Sequence, residues 1–179
     1  DSGARFFQFA FNYYQNENDL EKCDQIVKLL LNRLDDSLNM AKKDITTACI
    51  SYSNQGYFAA FKFIFETMDF KKCSNILEEN DLFTKLISKS IEIWDIVQKI
   101  LQHDSPEGIL LEEFQNKYTS ELEAEYGKAT QVILSYAWRS VKESSNMLDV
   151  MLKFKLSPIT SKNILTIGPL LLEQLATIR

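Results

Sequence analysis

The sequence predicts an all-α chain, organised as a piece of an armadillo- or HEAT-like helical repeat, an α-solenoid. Three observations carry that reading. Five Gly and three Pro in 179 residues are roughly a third of ordinary usage, so breakers are rare and elements are long. Ile26, Leu30, Leu34 and Leu38 recur every four residues, the signature of one buried helical stripe. The run Tyr57-Phe58-Ala59-Ala60-Phe61-Lys62-Phe63-Ile64-Phe65 is apolar nearly all round, which suits a helix enclosed by neighbours rather than one lying on a surface.

Taken in order, residues 3–14 come first. Phe7, Phe9, Phe11 and Tyr13 alternate as in a strand, whereas Phe7, Ala10 and Tyr14 share a helical face; the helical company decides for helix. Asn18 and Asp19 mark the next start, with Glu21 placed to close a capping box on Asn18, and the helix runs through Lys42. Asp44 suits the cap of a third helix whose tail is the aromatic run, with Ala59 and Ala60 permitting close approach. A short element follows at 70–79. Asp81 opens a helix to Leu101, with Phe83, Ile87, Trp94, Val97 and Leu101 inside and Lys85, Lys89, Glu92 and Lys99 in water.

Residues 102–127 break the pattern. From 104 to 127 there are seven acids and one Lys, read as an exposed acidic connector longer than usual between packed helices. It separates an N-terminal set of helical repeats, 1–101, from a second set, 128–179. Residues 129–154 then form the clearest helix. Leu134, Trp138, Val141, Leu148 and Leu152 make its apolar side; Gln131, Ser135, Arg139, Lys142, Asn146, Asp149 and Lys153 make a continuous polar stripe. Pro158 ends it. A last helix starts near Ser161, with Gly168-Pro169 set to kink or restart it.

Charge and cysteine content narrow the function classes. Residues 1–127 hold 13 Lys and Arg against 22 Asp and Glu, a balance of −9, while 128–179 hold 7 against 3, a balance of +4. The whole is a poor autonomous nucleic-acid binder, but the C-terminal third suits part of a composite RNA surface. Cys23, Cys49 and Cys73 form no CxxC pair, which points to idle thiols in a reducing compartment. No window reaches the roughly 18 apolar residues of a membrane span, and no leader or lipidation motif is read, so a cytoplasmic location is expected.

Catalytic and metal sites find little support. His103-Asp104-Ser105 holds the three residue types of a hydrolase triad, but triads are assembled from distant segments, and a turn histidine is the simpler reading. The acids Glu112, Glu113, Glu121, Glu123 and Glu125 read as a solvated charge run. No Gly-rich phosphate loop is present. The polar stripe is either a solvated face or a partner or RNA surface, with Arg139, Lys142, Asn146 and Lys153 as its candidate contacts.

Two ordered stretches carry a family resemblance. Gln131 through Ser145, which contains Trp138-Arg139-Ser140-Val141-Lys142-Glu143-Ser144, resembles the W-R-x-x-K-E helix of the THADA family, large helical-repeat proteins. Upstream, Asp104-Ser105-Pro106-Glu107-Gly108 resembles the turn preceding that helix, and the opening Asp1-Ser2-Gly3-Ala4-Arg5 is similar to a short segment of the same region. A further family segment, R-R-S-A-G-(I/L)-P-F, lies downstream in the family and is not found here, so the chain is expected to be a fragment.

The resemblance implies a non-catalytic scaffold or regulatory subunit. Fungal members partner an FtsJ-like tRNA methyltransferase, and the complex adds a 2′-O-methyl group to the first nucleotide of the anticodon loop. This chain would help hold the enzyme and present tRNA. It would need no cofactor, S-adenosylmethionine belonging to the partner. Asp104 to Gly108, Trp138, Glu143 and Ser144 are expected to be structural, with Trp138 able to anchor the helix in a core while its N–H finds a partner; Arg139 can pair with Glu143 four residues on, or with Lys142 reach phosphate or an acidic partner groove. The alternative is a general armadillo-type protein-interaction module unrelated to RNA modification.

Overall fold

The computed structural model describes residues 2–102, 129–153 and 161–177. Among them there are eight helices and no strand: α1 (Ser2–Asn16), α2 (Leu20–Lys43), α3 (Ile45–Ser51), α4 (Gln55–Thr67), α5 (Ser74–Glu79), α6 (Leu82–Gln102), α7 (Ala129–Lys153) and α8 (Ser161–Thr177). The expected connector lies, past Gln102, outside the described residues, as do His103, the Asp104–Gly108 turn and Pro158.

The apolar run sits at the centre, as its all-round composition demands. Phe58, Ala60, Phe61, Ile64 and Phe65 are fully buried and Ala59 nearly so. α4 packs most extensively on α7 and α1, and also touches α2; α6 packs on α7, α8 and α2. Elements far apart in sequence therefore enclose α4, and packing is not confined to chain neighbours. Phe65 stacks on Phe83 of α6 at 5.5 Å between ring centroids, which extends the core toward α5 and α6.

Helix starts follow local chemistry, with two corrections. Asp19, not Asn18, caps α2: its carboxylate accepts from the Lys22 N–H at 3.2 Å. Asn18 has φ 62°, the left-handed region that Asn tolerates better than most residues, so the expected box from Asn18 to Glu21 does not form. The third helix is also two helices. Asp44 caps only the seven-residue α3, accepting from Thr46 N at 3.0 Å, Thr47 N at 3.3 Å and Thr47 Oγ1 at 2.8 Å. The chain then breaks at residues 52–54 and restarts as α4. Pro169 stands inside α8 without ending it; its missing N–H leaves the Leu165 carbonyl without a helical donor.

The face expected for α1 is half-buried at Phe7, Ala10 and Tyr14, with Phe7 and Tyr14 against the core, but α1 seats other residues deeper. It buries Gln8 and Gln15 beside Ala4 and Phe11, while Phe6, Phe9 and Tyr13 are 67%, 71% and 61% exposed. Burying an amide is tolerable only when it is hydrogen-bonded. Gln8 Nε2 donates to the Phe63 carbonyl at 2.9 Å, and Gln15 Oε1 accepts the Asp69 N–H at 2.8 Å. The wet side expected for α6 holds at Lys85 and Lys99, which are exposed, and is corrected at two positions. Lys89 and Glu92 are half-buried against α2, where Lys89 meets Asp35 at 2.6 Å and Glu92 at 2.9 Å, and Lys42 meets Glu92 at 2.8 Å.

Burial pushes the thiols up, Cys23 and Cys73 to about 11 and Cys49 to about 12. All three are free, and at neutral pH they stay protonated and unreactive.

Candidate partner and nucleic-acid surface

The candidate surface lies on α7, and its position follows from which face of that helix packs on α4. Ile133, Ala137, Ser140, Ser144, Met147 and Met151 are all fully buried and recur at steps of four and three, a continuous helical seam. Small residues fill its middle, and α4 contributes the small buried residues Ala59 and Ala60 to the extensive packing between the two helices. The buried hydroxyls are satisfied within the helix: Ser140 Oγ donates to the Tyr136 carbonyl at 2.7 Å and Ser144 Oγ to the Val141 carbonyl at 3.0 Å. Tyr136 is also buried, and its hydroxyl accepts from Asn54 Nδ2 at 2.7 Å, tying α7 to the start of α4. Desolvation raises the Tyr136 pKa, so the phenol stays neutral.

That packing turns the polar stripe outward. Gln131, Ser135, Arg139, Lys142, Asp149 and Lys153 are exposed and Asn146 is half-buried. Trp138 joins them. It is 47% exposed, which corrects the expectation that it anchors a core; the buried indole is Trp94. Lys142 Nζ lies 5.0 Å from the Trp138 ring centroid, a cation–π contact. Leu152, assigned to the apolar side, is 39% exposed.

The four candidate contacts do not gather as one group. Arg139 and Lys142 line a polar cleft of about 610 Å³ together with Trp138 and Glu143. Its other walls are the first turns of two helices, Gly3 and Ala4 of α1 and Gln55 and Gly56 of α4. Asn146 lines a neighbouring, more apolar groove of about 410 Å³ between α7 and α8, shared with Trp138, Lys142, Leu171, Gln174 and Leu175. Lys153 stands apart, about 21 Å along the helix from Arg139, and pairs with Asp149. No ion pair joins Arg139 to Glu143 among the described residues, so the pairing expected from their spacing does not form; Glu143 is half-buried beside the cleft. Ser144 is fully buried in the α7 seam.

Two features of this surface escape sequence reasoning. α4 starts at Asn54 without a side-chain cap: Asn54 turns its Nδ2 to the Tyr136 hydroxyl while its Oδ1, the atom that would cap, meets no donor. Gln174 is buried, and its Nε2 has no partner. Neither has a local signal: both depend on segments more than 25 residues away in the chain.

Comparison with known proteins agrees with the surface's motif. The family model described as THADA/TRM732, DUF2428 matches residues 81–179. A relative in Schizosaccharomyces pombe, the tRNA (32-2'-O)-methyltransferase regulator trm732, is 36% identical over 154 residues, which is 85% of this chain. The chain spans about a tenth of that relative, 10% of its length. No solved structure matches. With the helix that bears Trp138-Arg139 and Lys142-Glu143 inside the matched region, and most of the chain aligned to a regulator of that name, the chain belongs to the THADA family.

Proposed function

We propose that this chain is part of a non-catalytic scaffold or regulatory subunit for 2′-O-ribose methylation in the tRNA anticodon loop. It works in the cytoplasm, helping to hold an FtsJ-like methyltransferase and to present tRNA. The observation that carries the reading is the 36% identity, over 85% of the chain, to a protein named as a regulator of a tRNA 2'-O-methyltransferase. The surface supports it. Arg139 and Lys142 are exposed beside a cleft, where cationic contacts to phosphate or carboxylate are charge-assisted. The methyl donor belongs to the partner.

The architecture we assign is an armadillo- or HEAT-like α-solenoid. Phe6, Phe9 and Tyr13 on α1 fall on one outward stripe, as do Leu165 and Leu172 on α8, which are 76% and 69% exposed. Apolar stripes of that kind are what stacked neighbouring helices cover in a repeat array. No helix among the described residues is long and apolar enough to cross a membrane.

The test uses the full-length protein that contains this chain, co-expressed with its methyltransferase. Arg139→Ala with Lys142→Ala is expected to leave the melting point unchanged and to lower partner recovery or ribose methylation, read by nucleoside mass spectrometry. Absence of any methyltransferase or tRNA from the purified wild-type protein would overturn the reading and leave the general interaction module.

A further inference from the structure

The Trp138–Lys142 ridge separates two cavities of opposite character, and together they match the two halves of a nucleotide. On one side is the polar cleft. The start of α4 opens onto it, and that helix has no acidic residue in its first turn. A helix start carries partial positive charge and unpaired N–H groups, and among the described lining residues Arg139 and Lys142 add two formal charges against the one carboxylate of Glu143. A Cβ built on Gly56 meets nothing within 4 Å, so the backbone at the α4 start is open to a ligand. This is the chemistry of a phosphate seat.

On the other side is the groove between α7 and α8. Its walls are the indole of Trp138 and the side chains of Leu171 and Leu175. At its floor lies Gln174, 3% exposed. Ser145 Oγ lies 2.8 Å from both Gln174 Oε1 and the Val141 carbonyl, and one hydroxyl proton serves only one of them. Whichever way the amide is turned, one of its polar atoms is left without a partner, at a cost that a ligand's edge would relieve. A flat ring with donors and acceptors on its rim fits this combination better than an aliphatic side chain does.

We propose that this ridge is a binding site for one unpaired nucleotide of an RNA strand: the base stacks on Trp138 in the groove and its phosphate sits in the Arg139 cleft. The proposal deepens the tRNA reading above and rests on it for the identity of the strand. Arg139 and Lys142 beside the one carboxylate among the described lining residues favour a polyanion over an apolar peptide, and single-stranded recognition uses this pairing of aromatic platform and cationic groove. Base-paired RNA keeps its bases stacked and does not offer one to the groove.

The test uses the full-length protein with its methyltransferase, and an anticodon stem-loop RNA carrying 4-thiouridine in the loop. Photocrosslinks are expected on peptides holding Trp138 or Leu171–Leu175, and a fully paired hairpin of equal length should give none there. Trp138→Ala should weaken loop binding on the order of five- to a hundredfold, the range for loss of one stacked base, with Trp138→Phe recovering most of it. Arg139→Gln with Lys142→Gln should flatten the salt dependence of binding. Loop binding unchanged in all three variants, with crosslinks elsewhere, would overturn the site while leaving the regulatory reading intact. Loss of methyltransferase recovery with RNA affinity retained would overturn it as well, and assign the ridge to a protein partner.

Discussion

Tyr136→Phe tests whether the joint between α4 and α7 is a hydrogen bond or merely a packed contact. Asn54 has no exposed surface, and its Nδ2 donates to the Tyr136 hydroxyl at 2.7 Å while its Oδ1 has no partner. Removing the hydroxyl therefore strands both ends of a buried amide. A neutral hydrogen bond contributes about 1 kcal/mol net, and stranding its buried donor costs about 1–3 kcal/mol, so Tyr136→Phe should lower unfolding free energy by about 1–3 kcal/mol. Almost no apolar area is lost, which separates this from a cavity effect. Asn54→Ala should cost a similar amount, and the double variant should cost less than the two singles together, by about 0.5–1.5 kcal/mol of coupling. Because burial raises the Tyr136 pKa, the effect should hold constant between about pH 6 and pH 9, below the ordinary phenol value. Urea unfolding followed by far-UV circular dichroism reads all four corners of the cycle. A Tyr136→Phe loss below about 0.5 kcal/mol, or strictly additive singles, would refute the joint.

Three further outcomes follow from the same packing. Trp138→Ala should cost about 1 kcal/mol or less in a thermal melt, since the ring is 47% exposed, whereas Phe61→Ala in the fully buried centre of α4 should cost roughly 3–5 kcal/mol. Asp44→Ala removes three acceptor contacts at the start of α3 and should cost about 1 kcal/mol in urea unfolding, as lost N-caps do. Burial alone would raise the Glu92 carboxyl, but hydrogen bonds from Lys42 and Lys89 hold it below its usual value of 4.5. A carboxyl depressed in the folded state contributes stability that is complete above the unfolded pKa and lost as pH falls through the folded one. Glu92→Gln should therefore be less stable than the parent at neutral pH by about 1–2 kcal/mol, and the two should converge in melts below pH 4.5.

How much of this was legible in the sequence depended on whether a signal was local. The α4 run announced its own burial, because a helix apolar on every side has no stable place except between neighbours, and the every-fourth-residue leucines of α2 were equally plain. The boundary at 52–54 was not legible: Tyr52-Ser53-Asn54 carries no Gly or Pro, and the break is sustained by the Asn54 contact to Tyr136, 82 residues away. The inner faces of α1 and α7 were only partly legible, for one shared reason. Hydrophobicity alone does not mark the inside: α1 buries Gln8 and Gln15 deeper than Phe7 and Tyr14, and α7 buries Ala137, Ser140 and Ser144 beside Val141 and Leu148. Those residues pack because they are small, or because a partner on another segment satisfies them. The large apolar side chains beside them, Phe6, Phe9, Tyr13 and Trp138, are left outside.

The displacement of Trp138 from core to surface changes what its helix can do. Had the indole been buried, Arg139 and Lys142 would be two cations on a wet face, and exposed cations by themselves select nothing beyond negative charge. Because the seam runs through Ala137 and Ser140 instead, Trp138 and Lys142 stand together at 5.0 Å, between the uncapped start of α4 and the buried amide of Gln174. The same small residues that allow α7 to close on α4 thus turn the aromatic ring outward. A variant that fills the seam, Ala137→Leu, should force the helices apart at a cost of about 1–3 kcal/mol for overpacking, and in doing so shift Trp138 relative to the α4 start. Loss of RNA-loop affinity in that variant, with Trp138, Arg139 and Lys142 all intact, would show that the packing seam sets the surface. If affinity survives while the melting point falls, the surface is independent of the seam, and the link drawn here between core and ridge is wrong.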